Sequence, residues 1–212
     1  MNPTDKNSYK SIVDHYESCL EKYGDTHLGV DWPDQDDAET RYRVMLEVMR
    51  NTTGPASLLD FGCGASHLYE YMLRTKLEHV EYSGLDLSER FIQLSESKFP
   101  GVDYYCLDIL DEDADIPAFD YIVMNGVFTE KLQLSFDEMF AFFKRMISRV
   151  FTKARVGIAF NVMSSHVDWE REDLFHLPMD KLADFLVREV SRDFVFRNDY
   201  QLYEYTVYIY RR

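Results

Sequence analysis

The chain has 212 residues, enough for one α/β domain with a full core and too few for two. Hydrophobic residues make up 46% of it and aromatic residues 15%, which excludes a disordered chain and points to aromatic-lined surfaces as well as core. A formal net charge of -15 argues against a nucleic-acid partner, because holding a phosphate backbone relies on Lys and Arg; a small molecule or a protein is the expected partner.

The opening residues Met1 to Lys6 lack the apolar segment of a secretion signal, and no apolar run is long enough to span a bilayer. Cys19, Cys63 and Cys106 show no metal-type spacing, so reduced thiols in a cytoplasmic protein without membrane or metal are expected. Apolar residues at helical spacing predict an amphipathic helix over residues 8 to 23, with Ile12, Tyr16 and Cys19 among its apolar positions and Gly24 as its stop. A turn-rich loop around Trp32 follows, then a helix over 37 to 51. From 56 onward the elements alternate: strand 57 to 61, helix 66 to 75, strand 80 to 86, helix 88 to 98, strands 102 to 107 and 120 to 124, helix 136 to 151, strand 155 to 161 and helix 178 to 191. Alternating segments at 194 to 196 and 202 to 210, joined by Arg197-Asn198-Asp199, predict an antiparallel hairpin.

The most informative stretch is Leu58-Leu59-Asp60-Phe61-Gly62-Cys63-Gly64, an apolar strand and an acid followed by two close glycines before a helix. Glycines here let the backbone turn where a Cβ would forbid it and leave room for a ligand at the main chain. Tyr82 to Leu87 adds a second strand ending on Asp86, at the spacing of a βαβ unit in which a carboxylate grips ribose hydroxyls. A nicotinamide-binding fingerprint would need a third glycine where His67 stands, which disfavours a dehydrogenase.

These residues resemble the class I S-adenosylmethionine-dependent methyltransferases, whose first motif reads acid-x-Gly-x-Gly and whose second ends in an acid. The resemblance continues through Tyr104 to Ile109 and through Phe119 to Val127, and covers about residues 56 to 212. It implies a Rossmann-like doubly wound α/β sheet, mostly parallel with one antiparallel C-terminal strand. The chain is then a single domain, with residues 1-54 as a helical extension or lid and 55-212 as the S-adenosylmethionine-binding core. It implies cofactor contacts at Asp60, Gly62, Cys63, Gly64, Asp86, Leu87 and Asn125, with Trp32 as a further cofactor-binding candidate, and an adenine contact at Asp108 and Ile109. Asn125 resembles the residue that meets the acceptor, and His166, after the fifth strand, is the first choice for a base.

Each residue also has a plainer role. Asp86 competes with Ser88 as a helix cap, Ser66 caps the preceding helix, Trp32 plugs the core or closes a lid, and His166 is an exposed loop histidine. Arg41 and Arg43 pair with Asp37, Glu39 and Glu47 along their helix, and Glu130 with Lys131 at the surface. The expected activity is methyl transfer to an oxygen or nitrogen of a small molecule by a monomer or homodimer, giving S-adenosylhomocysteine. The alternatives are a non-catalytic cofactor-binding subunit and an aminopropyltransferase.

Overall fold

Leu58 and Leu59 are neighbours in the first strand, face opposite sides of the sheet, and are both fully buried. Ile122 and Val123 repeat the pattern in a second central strand. A sheet covered on both faces requires crossover helices and favours parallel strands. The computed structural model describes residues 10–49 and 52–211. Its strands are β1 (Ala56–Phe61), β2 (Val80–Asp86), β3 (Asp103–Cys106), β4 (Phe119–Met124), β5 (Ala154–Ser164), β6 (His176–Leu177), β7 (Phe194–Arg197) and β8 (Glu204–Tyr210). The helices are α1 (Lys10–Tyr23), α2 (Gln35–Leu46), α3 (His67–Arg74), α4 (Glu89–Lys98), α5 (Phe136–Phe151) and α6 (Met179–Phe185).

The sheet order is β3-β2-β1-β4-β5-β8-β7, with the short β6 paired to β5. Strands β1 to β5 run parallel to one another, and β8 runs antiparallel to both β5 and β7. The expected doubly wound α/β sheet with one reversed C-terminal strand is therefore the observed one. On one face Leu59, Ile122 and Met124 pack with Phe143, Met146 and Ile147 of α5. On the other, Leu58, Tyr121 and Val123 pack with Met45 of α2 and with Leu68 and Met72 of α3. Chain order reverses direction at β1 and β4, which opens a crevice at the carboxyl ends of those strands.

Departures from the sequence reading have local causes. Helix α2 begins at Gln35 because Asp34 caps it, accepting the amides of Asp36 and Asp37, and it tightens into a 3-10 turn at Glu47–Met49. Tyr9, Arg50 and Asn51, at the predicted helix ends, lie outside the described residues, as do Met1 to Lys6. Strand β5 runs to Ser164 because β8 pairs with it as far as Met163. The predicted helix over 178 to 191 is α6 followed by a π turn, Leu186–Val190. Two residues of β6 are too few to show a period.

One polar chain fastens the N-terminal segment to the sheet. The Gly126 amide donates to Asn161 Oδ1 (2.8 Å), Asn161 Nδ2 donates to Glu204 Oε1 (3.0 Å), and Arg41 Nε donates to Glu204 Oε2 (2.9 Å). Arg41 thus pairs with a β8 residue 163 positions away instead of its helix neighbours. Arg43 does pair with Glu47 at 2.9 Å, while Glu39 pairs with Arg74. Glu204 is 2% exposed, so its removal leaves a buried guanidinium uncompensated. Glu204→Ala is expected to lower the free energy of unfolding by about 3 to 5 kcal/mol, measured by urea titration.

Candidate active-site cleft

The crevice at the switch between β1 and β4 is a cleft floored by the glycine turn and roofed by α1 and the segment after it. Gly62 has φ +78°, and a Cβ there would sit 2.7 Å from Val127 Cγ2, so both backbone and space demand glycine. The Gly62 and Cys63 amides donate to Leu85 O at 2.7 and 3.0 Å, tying the turn to β2. Asp86 completes the tie: Oδ2 accepts the Gly64 amide and Oδ1 the Ser88 amide, each at 2.9 Å. Ser88 caps α4 through the Phe91 amide, so Asp86 orients the turn while Ser88 takes the cap. Ser66 holds the N-cap position of α3 without a side-chain cap bond; its hydroxyl donates to Ser95 Oγ and meets the Tyr104 hydroxyl, each at 2.9 Å.

Asp60 is 3% exposed, and Tyr82 Oη donates to its Oδ2 at 2.9 Å. Burial pushes its carboxyl up to about 7, against the Tyr82 hydrogen bond and with the Asp86 charge adding. Burial also raises the Asp86 carboxyl, opposed by the amides of Ser88, Gly64 and Leu87. It raises the Cys63 thiol too, keeping that cleft-lining side chain neutral.

Ile12, Val13 and Tyr16 of α1, together with Val30 and Trp32, form the roof. Polar contacts at its edge hold it down: Ser88 Oγ donates to Glu17 at 2.6 Å, and Asp25 meets both His67 and Lys98 at 2.8 Å. The Trp32 ring lies against Gly126, whose φ is +79° and whose notional Cβ would fall 2.8 Å from the ring. Arg41 stacks on the other partner of this contact, its Cζ 4.3 Å from the Trp32 ring centre. Trp32 is thus both packed and cleft-lining.

Asp60, Gly62, Cys63, Gly64, Asp86, Leu87, Asn125 and Trp32 all line the cleft. The Asn125 Oδ1 atom is buried without a hydrogen-bond partner. Asp108 instead lines a separate hollow with Asp111 and Asp113, its Oδ1 accepting the Leu110 amide at 2.9 Å, and Ile109 is buried in the core. His166 is exposed in the loop after β5, its amide donating to Ser164 Oγ at 3.0 Å, and does not line the cleft. Glu130 is no surface partner of Lys131. It is 9% exposed, with its carboxyl raised to about 7 by burial and by Asp173 and Asp31, while Lys131 donates to the carbonyl oxygens of Leu134 and Glu172. The sequence reading passed over Glu17, Asn161 and Glu204, whose partners lie between 35 and 163 positions away and leave no local signal.

Residues 59–149 match the family model described as "Methyltransferase domain". The "Putative methyltransferase Rv1506c" of Mycobacterium tuberculosis is 29% identical over 164 residues, covering 75% of this chain and 95% of that protein. Methyltransferase crystal structures share this chain's architecture. That of the magnesium protoporphyrin IX methyltransferase of Synechocystis PCC 6803 with S-adenosylhomocysteine has a TM-score of 0.64 at 13% identity, covering 96% of this chain and 100% of that one. The 1,6-didemethyltoxoflavin-N1-methyltransferase of Burkholderia thailandensis gives 0.63 at 16% identity, over 96% and 90%. The family match takes in the glycine turn, Asp86 and Asn125 and stops short of Trp32 and Arg41.

Because Trp32 depends on the absent side chain at 126, Gly126→Ala is expected to lift the indole from its seat and cost about 1 to 3 kcal/mol. In a Trp169→Phe background, which removes the exposed second tryptophan, the expected readout is a red-shifted emission maximum; an unshifted maximum would mean that the roof does not rest on Gly126.

Proposed function

We propose that the cleft binds S-adenosylmethionine and that the protein moves its methyl group to an oxygen or nitrogen of a small molecule, releasing S-adenosylhomocysteine. The observation that carries this reading is the charge of the lining. Asp60 and Asp86 face the cleft, no Lys or Arg lines it among the described residues, and the walls are apolar and aromatic. Such a site suits a sulfonium and an ammonium, and the Gly62, Cys63 and Gly64 amides that could hold a dinucleotide's diphosphate are bonded to Leu85 O and Asp86 instead.

In this reading Asp86 accepts the ribose hydroxyls while its bonds to Gly64 and Ser88 hold the carboxylate in place. The glycine turn lets the methionine portion approach the backbone, with Asp60 beneath it. Transfer is an in-line displacement: an acceptor lone pair forms the new bond to the methyl carbon as the carbon–sulfur bond breaks and its electron pair stays on sulfur. Alignment and exclusion of water by the roof supply most of the acceleration. Asn125, with its carbonyl oxygen free of protein donors at the cleft wall, is placed to take an N–H or O–H of the acceptor. His166 has no position from which to act as base without movement of its loop, so no base is assigned.

A screen of small-molecule acceptors with methyl-labelled S-adenosylmethionine tests the activity; label transfer that requires the protein supports it, and transfer confined to protein or nucleic acid would contradict the acceptor class. Asp86→Ala is expected to weaken S-adenosylhomocysteine binding by about 1 to 3 kcal/mol, the scale of lost hydrogen bonds to a charged group.

The state of Asp60 sets a pH dependence. A carboxyl raised to about 7 is mostly protonated below that value, and a cationic ligand favours its ionised form. Binding below neutrality must therefore expel a proton, so affinity for S-adenosylmethionine is expected to rise between about pH 6 and about pH 8 and to lose that slope in Asp60→Asn. For the free protein the sign is opposite: the raised Asp60 stabilises the fold at low pH, and that contribution is lost as pH rises through about 7.

A further inference from the structure

His15 and Cys19 stand one turn apart on the same face of α1, and Asp31 reaches them from the segment that leads into Trp32. His15 Nε2 lies 2.8 Å from Asp31 Oδ2 and 3.9 Å from Cys19 Sγ, and all three donor atoms fall within 4.8 Å of one another. A hydrogen-bonded His–Asp pair would account for two of these groups. It does not account for the thiol, which lies beside the same imidazole nitrogen.

We propose that His15, Cys19 and Asp31 form a binding site for a zinc-class divalent cation. Imidazole nitrogen, thiolate sulfur and carboxylate oxygen are the donors that such an ion takes, and tetrahedral zinc at its usual bond lengths sets such donors roughly 3.4 to 3.6 Å apart. Two observed separations, 2.8 and 3.9 Å, bracket that range, and the third lies within 4.8 Å. All three residues are partly exposed, which leaves an entry path from solvent. The site also collects negative charge. Glu130, buried on the loop after β4, interacts electrostatically with His15 and Asp31, and Cys19 senses both Glu130 and Asp31. Arg171 is the positive side chain that interacts with both Asp31 and Glu130. A divalent ion with a thiolate bound to it would offset this excess.

The position gives the site a purpose. Tyr16, between the two α1 ligands in sequence, lines the cofactor cleft, and Trp32, next to Asp31, does the same. A bound ion would staple the two parts of the roof together, and three protein ligands leave a fourth position open.

The test uses cobalt(II) as the probe, added to the full-length purified protein freed of metal by a chelator. The expected result is about one equivalent bound with a sulfur-to-cobalt charge-transfer band and the intense visible bands of a four-coordinate site. The band should vanish in Cys19→Ser, persist in Cys106→Ser, and form with affinity lowered at least about tenfold in Asp31→Asn, which retains the thiol and should be checked for native circular dichroism. No charge-transfer band in the wild type at about a hundredfold excess of cobalt, a band that survives Cys19→Ser, or unchanged affinity in Asp31→Asn would each overturn the assignment. None of these readouts depends on the cofactor or on methyl transfer.

Discussion

Glu204 is the hub on which the cleft depends. Its two carboxylate oxygens bind Arg41 from α2 and Asn161 from β5, and Asn161 in turn holds the amide of Gly126 at the end of β4. Buried carboxylates are costly, and burial raises this one, with the Arg41 charge and the two hydrogen bonds opposing the shift. The arrangement therefore persists only if all of its members are in place. Through it, the reversed strand β8 sets the position of the turn after β4, and Arg41 sets that of Trp32, so the roof and one wall of the cleft share one fastening.

The opposite wall has its own. Asp86 links the glycine turn to the start of α4 by two amide hydrogen bonds, and the roof reaches the same point through Ser88 and Glu17. A ligand that binds Asp86 thus meets a carboxylate already oriented by the backbone, which lowers the ordering cost of binding. Charge then selects the ligand. Two acids with no lining Lys or Arg among the described residues repel phosphate and attract a sulfonium, and the same sheet topology serves either kind of ligand in other chains. In the proposed reading the acceptor meets the cleft lining at Asn125, Tyr16 and the roof.

Much of this was legible from the sequence. The alternation from residue 56 onward marks a doubly wound sheet because strands buried on both faces and amphipathic helices have different periods, and the helix expected over 136 to 151 matches α5, whose start carries a capping box at Ser135 and Glu138. The glycine turn was legible because a positive φ leaves a compositional trace. What remained hidden depended on partners far apart in sequence. Arg41 looks like one more charge on a helix until β8 brings Glu204 beside it, and Glu130 looks like a surface residue until the fold buries it and bridges it to Leu174. His166 and Asp108 were placed by the family's habits at strand ends, where loop geometry, invisible to periodicity, decides whether a side chain turns toward the cleft. His15, Cys19 and Asp31 carry no metal spacing in sequence, since the third donor arrives through a turn.

An acidic, aromatic cleft closed by the Trp32 roof is expected to take an adenosyl sulfonium. Equilibrium calorimetry of the purified protein with S-adenosylmethionine, S-adenosylhomocysteine and NAD tests it most directly. Binding of both adenosyl ligands with Kd on the order of micromolar, and none of NAD, is the predicted result. Binding of NAD, or of none of the three, would contradict it.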